Sequence, residues 1–393
     1  MSRAGGPGSP EEGETGESGS PEGGGEAGED AGNEGARDDD DDGDDDGDDD
    51  ALELDIPQTA RSRRLSSFLD EPARRALSRQ RWAEAVSLYQ ALTLAHGPGS
   101  REALALSRAW AGAGQHAEAI AVLDGFLAVA KNRRARRRIE RRRSKLARAG
   151  ETAPRGFAPA RVTRYAREAF RRGRVAFGKK RYDDALVYFQ MGYSLDPENP
   201  GFLKEIGATH DRLGLADKKQ AFYRAYVKAR PFGKTSDAIR RTLRNTPGTL
   251  GELSVESSLP CDELWLNRQQ APGNRSFKEL QVPPGEYRAL CVSYKYEIAY
   301  FEYGTVAAGR TTRLRFQWAI LVNKLRDPFG RIVIENPRVP GIMMDLGISS
   351  PEVGVIVPED GRALSLVLRG DGGNRREARS ITLQAGRRYV IQW

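Results

Sequence analysis

The stretch that decides the fold is residues 165–231, YAREAFRRGRVAFGKKRYDDALVYFQMGYSLDPENPGFLKEIGATHDRLGLADKKQAFYRAYVKARP. It reads as two helical hairpins in succession, because small residues and prolines return at a fixed step. Gly173 recurs as Gly207, and Pro197 recurs as Pro231, in each case 34 residues later. This period predicts a repeat of two helices, and such a unit cannot bury its apolar face without a stacked neighbour. We therefore expect a helical array with a concave surface.

The pattern resembles the tetratricopeptide repeat (TPR), in which small residues lie where helices cross and a proline closes each unit. Tyr182, Ala185 and Phe189 continue the pattern in the first unit, and Tyr223 continues it in the second. The resemblance implies a surface that holds a segment of another protein, of unknown identity, with the first helix of each unit lining the groove.

Carried over by register, the resemblance places eight side chains in that groove. They are Leu106, Trp110, Arg172, Lys179, Leu203, Ile206, His210 and Leu213. Arg172 and Lys179 would suit a peptide that carries carboxylates. The alternative is that Trp110 and His210 are packing residues, since aromatic residues at helical spacing are mostly buried.

A second pair of units precedes this one. In residues 61–130, Trp82 recurs as His116 and Ala85 recurs as Ala119, again 34 residues apart. We interpret this segment as a weaker TPR-like pair. The stronger pair then occupies residues 161–248 and ends in a predicted capping helix.

Between the two pairs, residues 131–160 contain a predicted basic helix followed by a linker rich in proline and glycine. Its cations are Lys131, Arg133, Arg134, Arg136, Arg137, Arg138, Arg141, Arg142, Arg143 and Lys145. They predict either a polyanion-binding site or the solvated face of a linker helix. Nucleic acid is the less favoured polyanion, because no interleaved aromatic residues accompany the arginines.

The formal net charge of +7 averages two opposed parts. Residues 1–60 contain 2 Lys/Arg and 22 Asp/Glu, a charge of −20, which leaves +27 for residues 61–393. We expect this acidic tail to be disordered, because it has little apolar surface to bury. It could fold back and mask the basic helix, since 60 disordered residues span roughly 40–45 Å. Just beyond it, Arg63, Arg64 and Ser66 match a short motif for basophilic kinases.

From residue 249 the hydrophobic period changes to two, which predicts strands. Three blocks recur in order: 251–256 as 330–335, 288–290 as 362–364, and 308–310 as 385–387. This internal repeat predicts two tandem small β-sandwich domains, residues 249–320 and 321–393. The expected fold class is therefore multidomain: a disordered acidic N-terminus, a TPR-like array of helical hairpins, and the two β-sandwich domains.

The first β-domain carries GELSVESSLPCDELWLN, VPPGEYRALCVS and GTVAAGRTTRLRFQW in order. These blocks resemble the PEGA domain, a small bacterial β-sandwich. The second copy departs from the pattern, because residues 358–361 (PEDG) replace its Pro-Gly turn. The resemblance implies a non-catalytic adhesion or assembly module, often found beside TPR repeats, with many relatives outside the cytoplasm. Cys261 and Cys291 lie in the first copy. We favour two reduced thiols, and the alternative is a disulfide between them.

The sequence predicts no enzyme, cofactor or metal site. Its 3 histidines are isolated, and it contains no zinc-ligand spacing, phosphate loop or nucleophile elbow. It also has no transmembrane segment of about 18 apolar residues and no apolar core of a signal peptide, so we expect a cytoplasmic protein. The predicted function is a protein–protein interaction scaffold. The alternatives are a polyanion binder and an envelope-associated or glycan-binding protein.

Overall fold

The computed structural model describes residues 60–149, 156–246, 248–274, 276–324, 331–338, 343–346, 352–369 and 375–392. The predicted acidic tail lies outside these ranges except for Ala60. The described chain is helical up to Arg244 and forms strands from Gly251 onward. The predicted order, helical and then β, is therefore confirmed.

The helical part contains α1 Ala60–Ser78, α2 Trp82–His96, α3 Arg101–Gly112, α4 His116–Val129, α5 Arg133–Ala149, α6 Thr163–Gly178, α7 Tyr182–Leu195, α8 Gly201–Arg212, α9 Ala216–Ala229 and α10 Lys234–Arg244. Four helical hairpins, α1–α2, α3–α4, α6–α7 and α8–α9, follow the predicted repeat. The second helix of a unit begins at Trp82, His116 and Tyr182, the positions that the period aligned. The fold is a TPR-like array of helical hairpins.

The recurring glycines mark the places where two helices of a hairpin touch. A Cβ atom on Gly173 would lie 2.6 Å from the Phe189 ring, and one on Gly207 would lie 2.5 Å from the Tyr223 ring. Because real Cβ atoms do not approach carbon this closely, only glycine fits at these crossings. The period of 34 residues is thus a period of close helix contacts.

The two pairs of units join through α2 and α7, and one hydrophobic core runs across both. Phe68 of α1 packs against Tyr188 of α7 with ring centroids 6.4 Å apart. The carboxylate of Asp184 at the start of α7 pairs with Arg61 at 2.7 Å and with Arg64 at 3.1 Å. These contacts join the two pairs of units into one helical body.

The strands are β1 Gly251–Ser257, β2 Glu263–Leu266, β3 Gln269–Gln270, β4 Phe277–Val282, β5 Gly285–Ser293, β6 Ile298–Val306, β7 Thr311–Phe316, β8 Trp318–Asn323, β9 Arg331–Glu335, β10 Met343–Asp345, β11 Glu352–Ile356, β12 Leu364–Arg369, β13 Arg375–Ile381 and β14 Arg388–Ile391. They form two pairs of sheets. The first pair has the orders β4-β1-β7 and β3-β2-β5-β6, and the second has β11-β8-β14 and β10-β9-β12-β13. The two copies have the same topology, as the internal repeat predicts.

One of the three matched sequence blocks is wrong by one strand. The match of 251–256 with 330–335 pairs β1 with β9, whereas β8 is the counterpart of β1. Both β1 and β8 pair in parallel with the last strand of their copy and antiparallel with the fourth. Trp318 begins β8, a strand of the second copy, but its side chain is fully buried in the core of the first copy. The two copies are therefore packed against each other at this residue.

The favoured interpretation of the two cysteines as reduced thiols is also wrong. Cys261 and Cys291 form a disulfide with Cα atoms 5.5 Å apart. The reason is strand pairing: β2 and β5 are antiparallel neighbours, and the N–H of Asp262 donates to the carbonyl of Val292 at 2.8 Å. Cys261, one residue before Asp262, is thereby brought beside Cys291.

Candidate functional site

Five of the eight side chains that were predicted to line the groove are buried in the helical core. They are Leu106, Trp110, Leu203, Ile206 and His210. Trp110 packs edge-on against Phe157 at 5.6 Å, and His210 stacks on Phe222 at 5.4 Å. In this arrangement these residues hold helices together, because the predicted register points into the core; Leu203 also lines a cavity next to the first β-domain.

The remaining three predicted residues do not converge on one surface. The Nε of Arg172 donates to Glu168 at 2.6 Å, and its guanidinium lies 4.5 Å from the centre of the Phe68 ring. Arg172 therefore helps join the two arrays. Lys179 is exposed in the turn after α6, and Leu213 is half-buried at the end of α8.

An open groove does follow α6, on a neighbouring face of that helix. It is a cavity of about 490 Å³ lined by Arg167, Phe170, Arg171, Arg174, Val175, Asn199 and Gly201. Val175 leaves 46% of its surface exposed there. An exposed apolar side chain among arginines suits a peptide that offers both an apolar contact and carboxylates.

In the groove, charge pairing along α6 leaves Arg167 available. A hydrogen bond from Arg171 and a weaker contribution from a hydrogen bond of Arg172 lower the pKa of Glu168 to about 2, so this carboxylate stays ionised. Arg174 pairs with Glu205 at 3.0 Å. Arg167 forms no ion pair with any residue in the described ranges.

A second cavity, of about 730 Å³, lies where the helical array meets the first β-domain. It shares Arg167 and Asn199 with the first cavity, so the two form one continuous surface, here called the basic groove. Among the described residues, the groove is lined by seven cations, Arg161, Arg167, Arg171, Arg174, Lys228, Arg230 and Arg268, and by two carboxylates, Asp196 and Glu198. The excess of cations gives the groove a positive potential.

The β2–β3 turn carries Arg268 to the rim of the groove and is anchored on both sides. The side-chain amide of Asn267 donates to the carbonyl of Lys228 at 2.8 Å. The amide of Gln269 accepts from the N–H of Phe232 at 2.9 Å and donates to its carbonyl at 3.1 Å. Arg268 lies between these two anchors and pairs with Glu198 at 3.2 Å. No sequence pattern marks Arg268, because tertiary packing alone brings it to the helices.

Apart from Lys131, which precedes it, the predicted polyanion site forms helix α5, which packs on α4 through Ala135 and Ile139. Seven of its cations are exposed, namely Lys131, Arg133, Arg134, Arg137, Arg141, Arg143 and Lys145, and three are half-buried, namely Arg136, Arg138 and Arg142. Arg143 pairs with Asp124 at 2.5 Å. Arg134, Arg137 and Arg141 are spaced by three and four residues and so follow one outer face of the helix.

The kinase motif at Ser66 is not accessible. Ser66 is fully buried in α1, and its hydroxyl lies 2.7 Å from Nε2 of His96. A nearby carboxylate, Glu102, stays 4.0 Å from Nδ1 of that ring. A kinase therefore cannot reach this hydroxyl in the folded chain.

Within the described ranges, no cluster of His, Cys, Asp and Glu is arranged to hold a metal ion. No helix of the described chain has both the length and the apolar character needed to cross a membrane.

Neither a family model nor a curated protein matches this chain. Solved structures give distant likenesses. A structure titled "Crystal structure of MamA" is 16% identical over 40% of this chain and 74% of its own, with a TM-score of 0.17. The "MamA RS-1 ArsTM double mutant" is 14% identical over 46% and 86%, with a TM-score of 0.19. The Bacillus anthracis TIE protein is 11% identical over 37% and 34%, with a TM-score of 0.15. TM-scores this low carry no information about what the chain binds.

Proposed function

We propose that this chain is a non-enzymatic interaction scaffold that holds a segment of a partner protein along α6 and the start of α8. The observation that carries this proposal is the mixed surface of the groove. Val175 is 46% exposed on a helix whose opposite face is core, and arginines flank it. Such an apolar contact with a charged border is typical of peptide-binding surfaces.

Selection of peptides from a random library on the full chain tests the proposal. Peptides that bind should lose at least about tenfold in affinity to the Val175→Glu variant, since the glutamate removes the apolar contact and its carboxylate competes with the peptide for the flanking arginines. Leu215→Glu is the matched control, because Leu215 is 40% exposed and lies outside the cavities that line the groove. Equal losses in both variants, or no loss in either, would contradict the site.

Helix α5 supports a second candidate function, binding of a polyanion. The specific observation is the row of Arg134, Arg137 and Arg141 on the outer face of the helix. Spacing of three and four residues places their Cβ atoms about 5–6 Å apart, so the three side chains form one row of cations that a linear polyanion can follow. The acidic tail of residues 1–60, with a charge of −20, is an intramolecular candidate for this surface.

Heparin binding separates the two candidates. We expect the variant with Arg134→Glu, Arg137→Glu and Arg141→Glu to lose most heparin affinity, with a smaller dependence on salt, because fewer counterions are released. If the tail masks α5, removal of residues 1–59 should raise heparin affinity at least about tenfold at low salt, and the gain should shrink as salt rises. Equal affinity at low salt with and without the tail would contradict masking.

The disulfide favours the envelope-associated alternative over the cytoplasm. Structural disulfides persist in oxidising compartments and are rare in the cytosol. The PEGA-like pattern of the first β-domain points the same way. Alkylation of the native protein in its cells, followed by mass spectrometry, should find Cys261 and Cys291 protected; alkylated cysteines would restore the cytoplasmic prediction.

A further inference from the structure

We infer that the partner segment is an acidic peptide and that the first β-domain completes its binding site. This inference rests on the proposed function and adds the chemistry of the partner and the far end of the site. Two observations support the inference: the positive charge of the basic groove, and the continuity of the groove from α6 to the β2–β3 turn.

The charge of the groove selects the partner. Seven cations and two carboxylates line it, and Arg171 and Arg174 also pair with Glu168 and Glu205 beside the groove, so three positive charges remain in excess. The two carboxylates are already paired: Arg161 binds Asp196 at 2.6 Å and Glu198 at 2.8 Å. Arg167 and Arg230 form no ion pair within the described chain and are exposed. These two guanidinium groups are the first sites for carboxylates of a bound peptide.

The apolar part of the groove selects a peptide over a polyanion without side chains. Phe170 and Val175 line the first cavity, and Tyr193 and Leu203 line the second. An acidic segment that alternates with leucine or a similar residue can use both kinds of contact at once. A nucleic acid would leave the aliphatic positions without a partner, since it binds through phosphates and base stacking.

The β-domain contributes because its turn is fixed to the helices. The amides of Asn267 and Gln269 bond to the backbone at the end of α9 and just beyond it. Arg268 between them therefore holds a defined place on the rim, and both Arg161 and Arg268 reach Glu198. A peptide that follows α6 toward α9 meets Arg268 next. The binding site thus spans two domains that the sequence separates.

Fluorescence anisotropy with the full chain tests the inference. The probe is a labelled dodecapeptide, EELDEELDEELD, and the control peptide is QQLNQQLNQQLN. The acidic probe should bind at least tenfold more tightly at low salt. The variant with Arg167→Glu and Arg230→Glu should lose at least tenfold, and Arg268→Gln should lose about threefold, in line with weak exposed ion pairs. The variant with Arg310→Glu and Arg387→Glu, two exposed cations outside the groove and outside α5, is the matched control and should bind normally. A separate variant with Arg134→Glu and Arg137→Glu reports any binding of the probe to α5.

Each other outcome overturns the inference in a distinct way. Equal binding of the two peptides, with loss in Val175→Glu, leaves the groove as a peptide site but removes its acidic selectivity. If Arg268→Gln binds the acidic probe as tightly as the wild type does, the site is confined to the helices and the first β-domain is not part of it. Loss in the α5 variant alone moves the acidic probe to α5. If neither peptide depends on Val175, the proposed function fails as well. If a single-stranded oligonucleotide loses affinity in the variant with Arg167→Glu and Arg230→Glu while the peptide keeps its affinity, the groove is a nucleic-acid site.

Discussion

Replacing Gly192 by alanine should destabilise the helical body, although alanine is the better helix former. Gly192 lies in α7, where α8 crosses it. A Cβ atom there would lie 2.2 Å from Cε1 and 2.6 Å from Cζ of Phe202. The Phe202 ring is 1% exposed and packs edge-on against Phe170, with centroids 5.3 Å apart. Because the ring is buried against Phe170, its displacement also reaches Phe170 in the groove.

The magnitude follows from two opposed terms. Carbon atoms prefer separations of about 3.5–4.0 Å, so the ring must move by more than about 1 Å. Overpacking of this kind costs about 1–3 kcal/mol. Higher helix propensity returns up to about 1 kcal/mol when glycine becomes alanine. We therefore expect Gly192→Ala to lower the free energy of unfolding by up to about 2 kcal/mol, or a few degrees of melting temperature.

Gly125→Ala is the matched control, because Gly125 is also in the interior of a helix, α4. Its added Cβ would lie 3.8 Å from Pro98, which is ordinary contact. Only the propensity term remains, so this variant should be stabilised by up to about 1 kcal/mol. Thermal and urea unfolding of the full chain measure both. Shifts of the same sign in the two variants would refute the account of the helix crossings.

Three further predictions concern other parts of the chain. Burial of His210, with a smaller effect of Lys218, lowers the pKa of its imidazole below the ordinary 6.5. The protein therefore has its full stability above pH 6.5 and loses stability as the pH falls below 6.5. His210→Phe should flatten the dependence of the urea-unfolding free energy on pH between pH 7 and 5, and an unchanged slope would count against this prediction. Reducing the disulfide between Cys261 and Cys291 should destabilise the first β-domain by about 3–4 kcal/mol, since it closes a loop of 30 residues; a variant with alanine at both positions should not respond to reductant, and an unaltered wild-type melting curve would contradict the expectation. Ala185→Trp should cost about 1–3 kcal/mol by overpacking, and an unchanged melting temperature would mean that the repeat register is wrong.

The helical repeats could be predicted because their signal is local. Glycine at a crossing, as at Gly173 and Gly207, reports a contact inside one hairpin, and the period repeats that contact along the chain. The order of helices and strands follows from hydrophobic periods of 3.6 and 2, which are properties of single elements.

The groove could not be predicted at the level of residues. A shift of a few positions on α6 exchanges the half-buried Arg172 for the exposed Arg167, and helical spacing alone does not fix that choice. Arg268 reaches the groove only because Asn267 and Gln269 bond to the helical array, a long-range contact that leaves no mark in the sequence. The disulfide was missed on a compartment argument, which says nothing about the distance between two Cα atoms.

Other errors came from similar sequences in different strands. The blocks GELSVE and GRIVIE look alike because both are β-strands, yet hydrogen bonding assigns β8 as the counterpart of β1. Alternating patterns specify a strand and its buried face, whereas pairing partners depend on the whole sheet.

The central claim is that a partner segment lies along α6 in the basic groove. Site-specific photo-crosslinking measures this most directly, with p-benzoylphenylalanine placed in the full chain at Val175, at Leu215 or at Arg137, and the dodecapeptide EELDEELDEELD as the ligand. The account predicts a crosslink from position 175 that excess unlabelled peptide abolishes, and background levels from the other two positions. Crosslinks of equal yield at all three positions, or a crosslink from position 137 alone, would contradict it.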